Sequence, residues 1–158
     1  MKVAVASDHA GFDLKAELLA FVDSLGHQAH DAGVYSKAPC DYPDVAEAMG
    51  LALLNGQAER GILICGSGVG ASIAANKMPG IRAGICHDAY SAHQGVEHDN
   101  INVLILGSRI VAGELARDLV RIFLDAQFTA EERHRRRLEK IALLERKYCR
   151  ALTEAEAR

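Results

Sequence analysis

The chain has no tryptophan and three prolines, and aromatic residues make up 5% of its 158 positions. Stacking single-stranded bases needs aromatic faces, so that class of nucleic-acid binding is excluded. None of the four cysteines, Cys40, Cys65, Cys86 and Cys149, forms a C-x-x-C pair. Zinc ribbons and thioredoxin-type redox pairs are excluded with it. No apolar run reaches the roughly 18 residues that a membrane span requires. The opening Met1–Asp8 turns charged too early for a signal peptide. These absences lead us to expect a cytoplasmic protein with free thiols, no membrane contact and no metal.

Charge of one sign is also scarce overall, at net −3, but it is unevenly placed. Residues 1–128 carry nine basic and fifteen acidic side chains, whereas residues 129–158 carry nine and six. An acidic body with a basic end suits a local anion site or an exposed helix, not a nucleic-acid surface. The length fits one domain, expected over residues 1–150 with residues 151–158 as a tail.

What is present is an alternation of short apolar runs with helical periodicity. Strands are expected at Lys2–Ser7, Gln28–Asp31, Gly61–Cys65, Arg82–Cys86 and Ile101–Leu106. Helices are expected at Phe12–Leu25, Asp44–Leu54, Val69–Asn76, Ala89–Val96, Ala112–Asp125 and Glu131–Ala151, with a proline-bearing loop at Ser36–Pro43. Continuous apolar strands between helices predict a parallel sheet covered on both faces. The fold class is therefore α/β, a three-layer sandwich with a five-stranded parallel sheet and a C-terminal helix. In such folds ligands bind at the carboxyl ends of the strands.

The residues at those ends carry the chemistry. After the first strand come Asp8 and His9, an acid/base pair or, for Asp8, a helix cap. After the third come Cys65-Gly66-Ser67-Gly68-Val69-Gly70. Glycines let backbone N–H groups close on an anion or a developing oxyanion. A cysteine beside a helix start gains thiolate character, although a buried thiol also serves simply as core. The run matches G-x-G-x-x-A through Ala71, but it does not follow the first strand, where dinucleotide folds place that turn. After the fifth strand Arg109 is placed to grip an anion. Arg133 and Arg137 lie one turn apart on the last helix and suit a phosphate, while Arg135 and Arg136 read as solvated. Glu97-His98-Asp99-Asn100 reads as a loop at the wrong end of its strand for a site in the same chain.

Together with Asp41-Tyr42-Pro43, Ile73–Lys77, Gly80–Ala83, Asn102–Leu104 and Gly107-Ser108-Arg109, these segments resemble the type B ribose-5-phosphate isomerases of the ribose/galactose isomerase family. The resemblance spans about residues 1–148. It implies a Rossmann-like homodimer, with tetramers open, whose sites are shared between copies. It implies cofactor-free interconversion of aldose and ketose phosphates, with ribose 5-phosphate the first expectation. On it, Cys65 is the proton-transfer base, and Ser67 with the Gly66, Gly68 and Gly70 backbone stabilises the enediolate. Asp8 and Tyr42 contact the sugar, and His98 of a second copy opens the ring, with Asp99 beside it. His9, Arg133 and Arg137 hold the phosphate, joined by Arg109 from the neighbour. Asp99 stands where relatives carry Asn, which opens tetrose and hexose phosphates as alternative substrates.

Overall fold

The computed structural model describes residues 1–156, and the side chains of residues 1–148. Five strands, β1 (Lys2–Ser7), β2 (Gln28–Asp31), β3 (Arg60–Cys65), β4 (Ala83–Ile85) and β5 (Val103–Gly107), form one sheet. Every pairing is parallel and the order is β2-β1-β3-β5-β4. Successive strand residues face opposite sides. Val3 and Val5 therefore enter one core with Ile62, Ile64, Leu104 and Leu106, while Ala4 and Ala6 enter the other with Leu63 and Ile105.

The first core is closed by α1 (Phe12–Ser24), α4 (Ala89–Asp99) and α5 (Gly113–Asp125) through Leu18, Val96 and Phe123. The second is closed by α2 (Tyr42–Leu54) and α3 (Val69–Ala75) through Met49 and Ala71. The three-layer sandwich is the expected architecture. The last helix, α6 (Glu132–Glu156), packs on α4 and runs past the expected end at Ala151. Residues 157–158 of the expected tail, and the side chain of Cys149, lie outside the described residues.

Two boundaries moved for physical reasons. Pro43 sits in the first turn of α2, where its missing N–H costs nothing, so that helix starts at Tyr42 instead of Asp44. Helix α4 continues to Asp99 and stops only at Asn100, which takes the left-handed conformation at φ 49° and caps the helix. The segment expected as a loop is thus the last turn of a helix. Among the described residues no helix is long and apolar enough to cross a membrane.

Candidate active site

β2 and β3 lie on opposite sides of β1, so the direction in which strands are added reverses there, and a crevice opens at the carboxyl ends of β1 and β3. Asp8 follows β1 directly. Its Oδ1 accepts the N–H groups of Ala10 (2.8 Å) and Gly11 (3.2 Å), which cap the short 3-10 turn His9–Gly11. The capping role read from the sequence is real, and it leaves Oδ2 for another donor.

β3 ends at Cys65, 5% exposed, in the α2–α3 core. Its Sγ accepts the Gly68 N–H across 2.9 Å, so the thiol points into the glycine turn. Gly68 has φ +87°, a conformation that side chains avoid, and a Cβ there would stand 3.1 Å from Ile105 Cγ2. Ser67 is exposed on the same turn. The Tyr42 ring lies over Gly70 so closely that a Cβ at Gly70 would fall 2.6 Å from Tyr42 Cζ.

The loop after β5 locks this turn in place. Ser108 N–H donates to Cys65 O (2.8 Å), Arg109 N–H to Gly66 O (3.0 Å), and Ser108 Oγ to Ala10 O (2.9 Å). A cleft of about 360 Å³ results, with Asp8, His9 and Tyr42 on one side and Cys65, Ser67 and Arg109 on the other. Gly66 and Gly70 line it too. His9 Nδ1 accepts the Cys40 N–H at 3.4 Å.

Arg109 lines the cleft of its own chain: its guanidinium Cζ lies 3.6 Å from the point a Gly66 Cβ would occupy.

The remaining expected residues are not in this cleft. His98 and Asp99 end α4, at the amino end of β5. The His98 ring stacks on His134 of α6, with centroids 4.3 Å apart. Asp99 borders a separate cavity with Arg82 and Glu145. Arg133, exposed, donates from Nε to Glu131 Oε2 at 2.9 Å, and Arg137 is exposed on the same helix. One chain therefore holds two clusters, one at each end of the sheet. Sequence reading missed His134, which is fully buried within a run of arginines. Burial first, and then the neighbouring His98, hold its pKa below the ordinary 6.5. It missed Gln94 as well, whose amide meets His98 Nδ1 at 2.9 Å. No signal in a single sequence marks either.

Burial, with Asp88 adding to it, pushes the Cys86 thiol up to about 11, which leaves that residue as core. Among the described residues no group of His, Cys, Asp and Glu is placed to hold a metal ion.

Known proteins resemble this chain in sequence and in fold. A family model described as Ribose/Galactose Isomerase matches residues 3–141. Ribose-5-phosphate isomerase B of Escherichia coli (strain K12) is 44% identical over 146 residues, covering 92% of this chain and 97% of that protein. D-erythrulose-4-phosphate isomerase of Pectobacterium atrosepticum is 39% identical over 132 residues, 81% of this chain and 85% of that protein. The solved structure of Clostridium thermocellum ribose-5-phosphate isomerase B matches with a TM-score of 0.91 at 43% identity, over 94% of this chain and 99% of that one. The class is thus an aldose–ketose isomerase of sugar phosphates with a Rossmann-like fold. The chain belongs to the ribose/galactose isomerase family.

Proposed function

We propose that the protein interconverts ribose 5-phosphate and ribulose 5-phosphate through an enediolate, with Cys65 as the base. The observation that carries this reading is the Cys65 thiol held at a glycine turn inside a cleft that also offers a carboxylate, a hydroxyl and a guanidinium. The similarity to the Escherichia coli enzyme points to the same sugar.

The chemistry follows from the placement. In the open-chain aldose, the Cys65 thiolate removes the C2 proton as the C1 carbonyl becomes an enediolate oxygen. The backbone N–H groups of Gly66–Gly70 and the Ser67 hydroxyl stabilise that charge where it develops. A proton passes from O2 to O1, and the thiol returns its proton to C1, leaving the ketose. Asp8 Oδ2 and Tyr42 fix the sugar, while His9 and Arg109 hold the phosphate, whose binding orients the reacting carbons. No step calls for a cofactor. Phosphorylated sugars are held inside cells by their charge, so the reading places the enzyme in the cytoplasm.

His98, Asp99, Arg133 and Arg137 enter the reading through a second copy of the chain. Val69, Ile73 and Ile110 are each more than half exposed beside the cleft. Between α2 and α3 runs an apolar groove of about 420 Å³ that shares Tyr42 and Gly70 with it. A homodimer covering this face would bring the partner's α4–α6 end to the thiol and complete the site twice.

A second reading keeps the chemistry and shortens the sugar to a tetrose 4-phosphate, favoured by the similarity to the Pectobacterium protein and by the Asp99 carboxylate beside His98. Initial rates with four- to six-carbon sugar phosphates, without added metal or nucleotide, decide. Fastest turnover of ribose 5-phosphate supports the first reading. Fastest turnover of another member moves the substrate, and turnover of none overturns both.

A further inference from the structure

The last turn of α4 holds a polar cluster whose hydrogen bonds specify which ring nitrogens carry protons. Gln94 and His98 are one turn apart on one face. Gln94 Nε2, an amide nitrogen that only donates, lies 2.9 Å from His98 Nδ1. A neutral His98 then accepts at Nδ1 and keeps its own proton on Nε2. The carboxylate nearest to that Nε2, Glu97 Oε2, is 3.7 Å away and stands 3.4 Å from His93 Nδ1. The Nε2–H is therefore left for an outside acceptor.

The flat side of the ring is braced by His134, whose plane is inclined 29° to it. Thr129 Oγ1 gives its one proton to the Glu97 carbonyl (3.0 Å), so toward His134 Nδ1 (2.8 Å) it accepts. His134 is thereby protonated at Nδ1, and its buried Nε2 is left as a bare lone pair. A second proton would put an uncompensated buried cation against His98, with Arg133 and Arg137 of α6 adding to the repulsion and Glu131 opposing it. The brace stays neutral.

We propose that Gln94, backed by the His98–His134 stack, is a positioning residue that fixes His98 in the Nε2–H form, the form able to hand a proton to the ring oxygen of a cyclic sugar phosphate. The inference rests on the ring-opening role given to His98 above. In that step the C1–O4 bond of the furanose breaks. O4 keeps the electron pair and takes the Nε2 proton, while the O1 proton passes through a water to the vacated Nε2 as the C1 carbonyl forms, so the ring ends neutral as it began. The other tautomer would present a bare lone pair at Nε2 and has no proton to give.

The test is Gln94→Glu, which keeps the side-chain length and the helix. A carboxylate at this position accepts from Nδ1–H and reverses the tautomer. Two activities separate the roles. Turnover of ribose 5-phosphate requires ring opening. Deuterium wash-in at C1 of ribulose 5-phosphate does not, because O5 is phosphorylated and no five-membered ring forms. In the wild type, ¹⁵N shifts should show His98 as Nε2–H, and in Gln94→Glu as Nδ1–H. Ribose 5-phosphate turnover should fall about tenfold or more, within the range general acids supply, with wash-in reduced far less. Wild-type turnover in Gln94→Glu, an equal fall of both activities, or Nδ1–H in the wild type would each overturn the proposal. His98→Ala keeps the two levels apart. Wild-type turnover in that variant removes the ring-opening role itself, whereas an inactive His98→Ala beside a fully active Gln94→Glu removes only the positioning.

Discussion

Gly68 gives its backbone N–H to the Sγ of Cys65 across 2.9 Å, at the point where the third strand turns into a helix. The bond exists because Gly68 accepts φ +87° and because Ile105 leaves no room for a side chain there. Strand, turn and thiol are one device, and its neighbours can be tested separately.

Gly70→Ala tests the wall formed by Tyr42. The added methyl would fall 2.6–3.0 Å from the Tyr42 ring, which is 44% exposed and free to swing outward. The expected outcome is a KM for the sugar phosphate raised about tenfold, equivalent to some 1.4 kcal/mol of lost binding, with kcat less affected. Steady-state kinetics read it directly.

Gly11→Ala tests the packing under Asp8. Here the methyl would meet Ile64 Cγ2 at 2.6 Å and the Ile64 carbonyl oxygen at 3.0 Å. Both atoms belong to a buried strand that cannot move aside, so the expected loss is about 1–3 kcal/mol of stability. Urea unfolding at fixed protein concentration measures it.

The buried His134 gives the fold a pH dependence of definite sign. Its pKa in the folded chain lies below the ordinary 6.5, so above that pH the ring is neutral in both states and contributes nothing. As the pH falls through 6.5, the unfolded chain takes up a proton that the folded chain refuses, and stability is lost. His134→Phe keeps a ring of similar size and removes the proton. Its melting temperature should gain on that of the wild type as the pH is lowered from about 7 to about 5.

A site shared between copies predicts rescue by mixing. Cys65→Ala and His98→Ala are each expected to be inactive. After unfolding and refolding together in equal amounts, half of the dimers are mixed and each carries one intact site. Recovery of about a quarter of the wild-type activity is expected, and none if both residues serve the same chain's cleft.

Much of this was legible in the sequence, for local reasons. Gly-Ile-Leu-Ile-Cys before a glycine turn states a buried strand ending in an exposed-backbone loop, and Asp8 states its own cap. The cleft residues follow because parallel strands end together. The rest depended on contacts between distant segments. The sheet order is set by which strands pair, and periodicity does not encode it. Gly95 and the polar Glu97–Asn100 weaken the helical pattern around His98, yet tertiary packing carries α4 through them. His134 stands in a run of arginines, and its burial depends on α6 packing against α4, which the run itself does not encode. The bond from the Arg109 amide to Gly66 O, which sets the Arg109 side chain beside its own chain's glycine turn, joins segments that are distant in sequence.

Proton transfer by Cys65 is the central claim, and deuterium wash-in at C1 of ribulose 5-phosphate in D₂O tests it most directly. The step needs no ring opening, so it isolates the base from the ring-opening role of His98. The wild type should exchange one C1 proton. Cys65→Ala, folded as judged by circular dichroism, should exchange it about 10²–10⁴-fold more slowly, the range that a positioned general base supplies. Exchange at the wild-type rate in Cys65→Ala would contradict the account.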